Sequence, residues 1–177
     1  MKIFNRIPEI STLRLRLRAP GEADIGQIVR NANDRDVARM TTGIPHPYTS
    51  DHGRAFLTMV QMADPEIDLP LLIEHKDHGP VGMVGLHKRE DPWPEIGYWL
   101  GRPYWGQGLA TEAAAAMVDW AHSVRGLRAI ASGHFADNLA SGRVLEKIGF
   151  LYTGQINQRL SYGRGVAATT RMMIRLG

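Results

Sequence analysis

Residues 12–18 alternate without interruption, with Leu13, Leu15 and Leu17 on one face and Arg14, Arg16 and Arg18 on the other. A period of two marks a half-buried strand, and the arginine row reads as a charged face that discourages edge pairing. After Pro20-Gly21-Glu22 the period lengthens to that of a helix carrying Ile25, Ile28 and Val29 on one stripe. A second helix follows the capping cluster Thr49-Ser50-Asp51 and carries Phe56, Leu57, Val60 and Met62. The proline-rich stretch between them, Thr41 to Tyr48, predicts a rigid, exposed loop. Residues 69–74, 81–87 and 95–100 read as strands, the first two joined by a turn at 77–80. The longest helix is predicted from about Gly108 to Val124-Arg125-Gly126, with Leu109, Ala113, Met117 and Trp120 on its apolar stripe. Ala113 to Ala116 keep it slim enough to lie close on a sheet. A strand over 128–134, a helix over 138–147 closed by Gly149, and strands near 150–160 and 166–176 complete the chain. The order β-α-α-β-β-β-α-β-α-β-β predicts one α/β domain over residues 1–177, a mixed sheet of about seven strands with helices on both faces.

Composition narrows the chemistry. The 177 residues contain no cysteine, which excludes disulfides, thiolate metal sites and cysteine nucleophiles. No apolar run approaches the ~18 residues of a membrane span, and Met1 to Arg6 lacks the pattern of a secretory signal, so a cytoplasmic protein without membrane contact is expected. A formal charge of +3 favours a phosphate-bearing ligand, while the absence of a basic run interleaved with aromatics argues against nucleic acid. His75 and His78 fall in a predicted hairpin tip with no third ligand nearby, and no metal is expected.

The most informative segment is Tyr104-Trp105-Gly106-Gln107-Gly108-Leu109-Ala110-Thr111-Glu112-Ala113, which joins a strand to the longest helix. Its glycines permit a sharp turn and close backbone approach. The first amides of the helix have no carbonyl partner and, with the helix dipole, suit a phosphate. No P-loop lysine and no G-x-G-x-x-G is present, so nucleoside triphosphatase and dinucleotide readings are poor. The segment resembles the pyrophosphate-binding motif of GNAT acyltransferases, [Q/R]-x-x-G-x-[G/A], read here as Trp105-x-x-Gly108-x-Ala110, with Trp105 where the family has Gln or Arg. Its surroundings are similar to the RimJ/RimL-like branch, which acetylates N-termini of ribosomal proteins. The resemblance implies that acetyl-CoA is the co-substrate and that Trp105, Gly106, Gln107, Gly108, Leu109, Ala110 and Thr111 hold its pyrophosphate.

Downstream, Asn138-Leu139-Ala140-Ser141-Gly142-Arg143-Val144-Leu145-Glu146-Lys147-Ile148-Gly149-Phe150 resembles the second cofactor motif of the same superfamily, N-x-x-[A/S]-x-x-x-[Y/L]-E-K-x-G-F. Leu145 stands where many members carry a tyrosine that protonates the leaving thiolate. Ser141, one turn earlier on the same helical face, is the expected donor to the coenzyme A sulfur. Asn138 is expected to bond the pantetheine arm or the substrate.

The resemblance further implies a mostly antiparallel sheet with a splayed central parallel pair, in which an amide of Trp99 or Leu100 faces the thioester oxygen. Glu95, opening the strand Glu95-Ile96-Gly97-Tyr98-Trp99-Leu100, is the leading general base, with His134 in reserve. His46 and Tyr48 are assigned to the acceptor pocket. The function so implied is direct transfer of the acetyl group to an amine, either a protein N-terminus or a small molecule, with room for a homodimer through the C-terminal strands. The alternatives are a non-catalytic acyl-CoA-binding sensor and a ribosome- or RNA-binding domain.

Overall fold

A computed structural model describes residues 7–88 and 92–177; Met1 to Arg6, on which the absence of a secretory signal was argued, lie outside the described residues. The alternating N-terminal segment is a strand only in part. Ile10–Ser11 (β1) turns through Thr12, whose hydroxyl donates to the Leu15 carbonyl, into Leu15–Arg18 (β2). Leu15 and Leu17 are buried as expected, but Leu13 is 86% exposed because it sits in the turn.

A short 3-10 turn at Glu22–Asp24 leads into α1 (Ile25–Ala32). Sequence reading missed the five-residue α2 (Arg35–Arg39), whose cap is Asp34 accepting from the amides of Asp36 and Val37. Next come α3 (Ser50–Met62), capped by Thr49, then β3 (Asp68–His75), β4 (Gly79–His87) and β5 (Glu95–Leu100). The remainder is α4 (Leu109–Ser123), β6 (Ala129–Phe135), α5 (Leu139–Lys147), β7 (Leu151–Ser161) and β8 (Val166–Leu176).

The strands form one sheet of eight, in the order β1-β2-β3-β4-β5-β6-β8-β7. All neighbouring pairs are antiparallel except β5 and β6, which are parallel. Alternation in the strands divides the core. Leu69, Leu71 and Ile73 of β3, with Ile96 and Leu100 of β5, pack under α4 and α5. Leu72, Met83 and Trp99 pack under α1 and α2 on the opposite face. The alanines of α4 serve as predicted: Ala113, Ala114 and Ala121 are fully buried beside Met117 and Val118.

Several local expectations change. Met62 is 82% exposed, since α3 runs out of core before its last turn. In the proline-rich loop Ile44 and Tyr48 are buried in the α1–α2 core rather than exposed. His75 is also buried, its ring stacked on that of His78 with centroids 4.7 Å apart, and among the described residues no group of three metal-ligating side chains occurs. No helix among the described residues is long and apolar enough to cross a membrane.

The three arginines pair with carboxylates, and β2 lies between β1 and β3 rather than at an edge. Arg14 meets Glu112 of α4, Arg16 meets Glu9 and Glu74, and Arg18 bridges Asp24 and Glu74 at 2.8 Å each. Hydrogen bonding to Arg18 holds both Asp24 and Glu74 below their ordinary carboxylate values. Depressed native values mean that the stabilisation is complete above the unfolded carboxylate value of about 4 and is lost as pH falls toward the native ones. Arg18→Met should therefore cost about 3 kcal/mol in urea unfolding near neutrality. The difference from the parent should shrink markedly at about pH 3, where the carboxylates protonate.

Candidate active site

The parallel pair is held by one rung. Glu95 is in register with Ala131, and the Ala131 amide donates to the Pro94 carbonyl at 2.9 Å. Beyond that point the strands diverge. Ser132, almost fully buried, donates its hydroxyl to the Ile96 carbonyl at 3.0 Å and marks the pivot of the opening. The Gly101 amide bonds the Val81 carbonyl of β4 at 2.8 Å. Because successive peptide groups of a strand point to opposite sides, the Trp99 amide also faces β4, whereas those of Tyr98 and Leu100 face the opening. Of the two amides left open by sequence, Leu100 is the one directed into the gap.

At the end of β5 the Trp105 indole donates to the Leu100 carbonyl at 2.8 Å, so the residue that departs from the family motif pins the strand where the loop begins. Gly106 and Gly108 adopt φ of +74° and +77°, a region that disfavours any side chain. Glu112 makes the first helical bond, to the Gly108 carbonyl. Among the described residues, the amides of Gly106 to Thr111 donate to no protein acceptor. Leu109 is buried and offers only its backbone. Arg14 braces the turn from outside by donating to the Gln107 carbonyl at 3.0 Å, and Gln107 itself donates to the Pro103 carbonyl. Burial works to raise the Glu112 carboxyl, but hydrogen bonds from Thr12 and Arg14 hold it below its ordinary value.

Across the gap, Asn138 caps α5 by accepting from the Ser141 amide at 3.2 Å. Ser141 lies in the first turn of α5, and its hydroxyl is 2.9 Å from the Tyr98 hydroxyl, which also donates to the Ser141 carbonyl at 3.1 Å. This bridge from β5 to α5 went unnoticed in the sequence. Burial pushes the Tyr98 phenol far above its ordinary value, with the Ser141 contact opposing the shift. Tyr98 therefore stays protonated, and with its one hydrogen on the Ser141 carbonyl it accepts from the serine hydroxyl.

The candidate bases Glu95 and His134 are both buried and both already hold partners. Glu95 is only 8% exposed and both carboxylate oxygens are engaged by Arg159 of β7, at 2.5 and 2.8 Å. The carboxylate is thus tied into a bidentate ion pair. His134 is 3% exposed with both ring nitrogens engaged, Nδ1 by the Phe135 carbonyl and Nε2 by the Tyr152 hydroxyl. It faces α5, where Gly142 lets the helix pass close. Tyr48 packs in the core, while His46 is exposed.

Comparison with known proteins places this fold in a family. The sequence matches the Acetyltransferase (GNAT) domain over residues 14–151. The chain belongs to the GNAT family. It is 33% identical over 94 residues to an uncharacterized N-acetyltransferase of Bacillus subtilis (strain 168), YoaA, covering 52% of each chain. The chain spans about half the length of the curated relatives it matches. Among solved structures, a GNAT-family acetyltransferase from Bacillus anthracis superposes with a TM-score of 0.82 at 23% identity, over 96% of this chain and 98% of that one. Mycobacterium smegmatis RimJ, solved in complex with a CoA-disulfide, superposes with a TM-score of 0.83 at 20% identity, over 97% and 88%. These likenesses extend the GNAT architecture to all eight strands, the parallel pair included.

Ser132→Ala leaves the buried Ile96 carbonyl without its partner, and a loss of about 1–3 kcal/mol is expected in thermal or denaturant unfolding. Hydrogen exchange of the Ala131 amide should quicken at the same time, since the rung it holds is the one the serine protects.

Proposed function

We propose that the protein transfers the acetyl group of acetyl-CoA directly to an amine. The observation that carries this reading is the convergence, in a GNAT chain, of the unpaired amides at the head of α4 and the opening between β5 and β6. The loop from Gly106 to Thr111 offers consecutive N–H groups to a diphosphate, reinforced by the positive end of a fifteen-residue helix. From there a pantetheine arm would run into the gap, with Asn138 at its rim and the Leu100 amide positioned for the thioester oxygen. A thioester is already activated, so the protein has only to position the amine, stabilise the oxyanion and manage protons.

Ser141 is the proposed proton donor to the departing sulfur, its hydroxyl oriented by Tyr98. Glu95 and Arg159 then serve as a charge-neutral wall on the acceptor side rather than as a base. The acceptor is a primary amine, of a protein N-terminus or a small molecule; RimJ-like architecture supports the former. A homodimer joined by the C-terminal strands belongs to the same proposal, supported by the exposed Leu151, Ile156 and Leu160 along the edge strand β7. A monomer in sedimentation equilibrium would remove that part alone.

Calorimetry tests the first step: acetyl-CoA should bind the parent protein, and Gly108→Val should weaken binding by tenfold or more because a β-branched residue cannot hold the left-handed conformation. Failure of the parent to bind any acyl-CoA would overturn the proposal. For the second step, Ser141→Ala should reduce kcat about 10²-fold with an unchanged acetyl-CoA Kd. An unchanged kcat would remove Ser141 from the mechanism.

A further inference from the structure

With Glu95 neutralised by Arg159 and His134 locked against α5, the acetyl-transfer reading lacks a group to accept the amine proton. One cross-strand row supplies it. His87 closes β4, in register with Glu95 of β5 on one side and Asp68 of β3 on the other. Its Nδ1 is hydrogen-bonded to the Asp68 carboxylate. A ring donating Nδ1–H to a carboxylate carries its free lone pair on Nε2.

That nitrogen lies over the sheet between β4 and β5. Gly85 and Gly97 face each other across β4 and β5, and a Cβ at either would lie 3.1 and 3.7 Å from Nε2. The paired glycines leave a trough for the imidazole. Gly97 is also the next residue after Ile96, whose carbonyl Ser132 holds at the pivot. Among the described residues Nε2 has no hydrogen-bond partner, and the His87 side chain is 28% exposed. Cross-strand neighbours share a face, which places His87 with Glu95, Gly97 and Trp99, opposite the face where Tyr98 meets Ser141. Base and acid thus stand on opposite faces of the sheet.

We propose that His87, oriented by Asp68, accepts the proton of the incoming amine, directly or through one water; this rests on the acetyl-transfer reading. The entering ammonium gives one proton to Nε2, and the freed lone pair forms the C–N bond at the thioester carbonyl carbon. The C–S bond breaks with its electron pair on sulfur, which takes the Ser141 proton. The second amine proton returns to Ser141 through water, and His87 releases its own to solvent. One ammonium ion and one acetyl-CoA give one amide, one free thiol and one proton. The imidazolium formed on the way is faced by Asp68 from β3 and by Glu95 from β5, the latter already balanced by Arg159 from β7.

The test uses the full chain with labelled acetyl-CoA and two probes, a peptide with a free α-amine and a polyamine. His87→Asn keeps a side-chain N–H for Asp68 but has no nitrogen to protonate. On whichever probe the parent acetylates, it should lose about 10²–10³-fold in kcat/KM with an unchanged acetyl-CoA Kd. The acid limb of the kcat/KM–pH profile should vanish with it. Asp68→Asn, the second variant should His87→Asn fail to fold, should lose about tenfold by releasing the ring orientation. A His87→Asn enzyme within threefold of the parent, its acid limb intact, overturns the role of His87 and leaves acetyl transfer standing. A parent that binds acetyl-CoA yet acetylates neither probe overturns the transfer reading and the proton acceptor with it.

Discussion

The rest of the site depends on the brevity of the β5–β6 pairing. Two parallel strands that zipped along their full length would satisfy each other's amides and close the sheet. Here the ladder stops after the rung at Glu95 and Ala131, and Ser132 takes up the Ile96 carbonyl at the fork. The peptide groups of Tyr98 and Leu100 are consequently turned toward an opening instead of a neighbouring strand. An unpaired amide inside a sheet is costly unless a ligand or water replaces the lost partner, so the fork is a polar site built into an otherwise continuous core.

Tertiary packing keeps that fork open by anchoring both arms elsewhere. On one arm, β5 is secured to β4 and pinned at its end by the Trp105 indole. On the other, β6 is paired along its length with β8. The β7–β8 hairpin then reaches across to the N-terminal half: Ser161 donates to the Thr41 carbonyl, and Arg164 to the carbonyl of Arg39 and to the Asp137 carboxylate. Gly163 lies so close to Ala38 that a side chain would strike its backbone at 2.5 Å. The same hairpin brings Arg159 to Glu95, an ion pair between segments distant in sequence.

The two sheet faces divide the chemistry. The face under α4 and α5 carries the loop amides, Asn138, Ser141 and Tyr98. The opposite face carries Glu95, Arg159, Trp99 and the Asp68–His87 pair. Because consecutive residues of a strand point to opposite sides, a single strand, β5, contributes to both: Tyr98 to one and its neighbours Gly97 and Trp99 to the other. The proposed proton acceptor and proton donor therefore stand on opposite faces of the sheet.

Elements were legible in the sequence wherever the signal was local. The 3.6-residue stripe from Leu109 to Trp120, the glycines of the turn before it, the Asn138 cap and the alternation around Leu15 and Leu17 each declare themselves within a dozen residues, and the resemblance to GNAT motifs tied two of them to a cofactor. What tertiary structure alone decided was which polar groups meet. Arg159 stands 64 positions from Glu95, Tyr98 stands 43 from Ser141, and Asp68 stands 19 from His87. Hydrogen bonds of this kind are set by strand register and by which way a pleat faces. A chain read residue by residue shows that Glu95 is a carboxylate; only the folded sheet shows that a guanidinium already occupies it and that the imidazole beside it is held by Asp68.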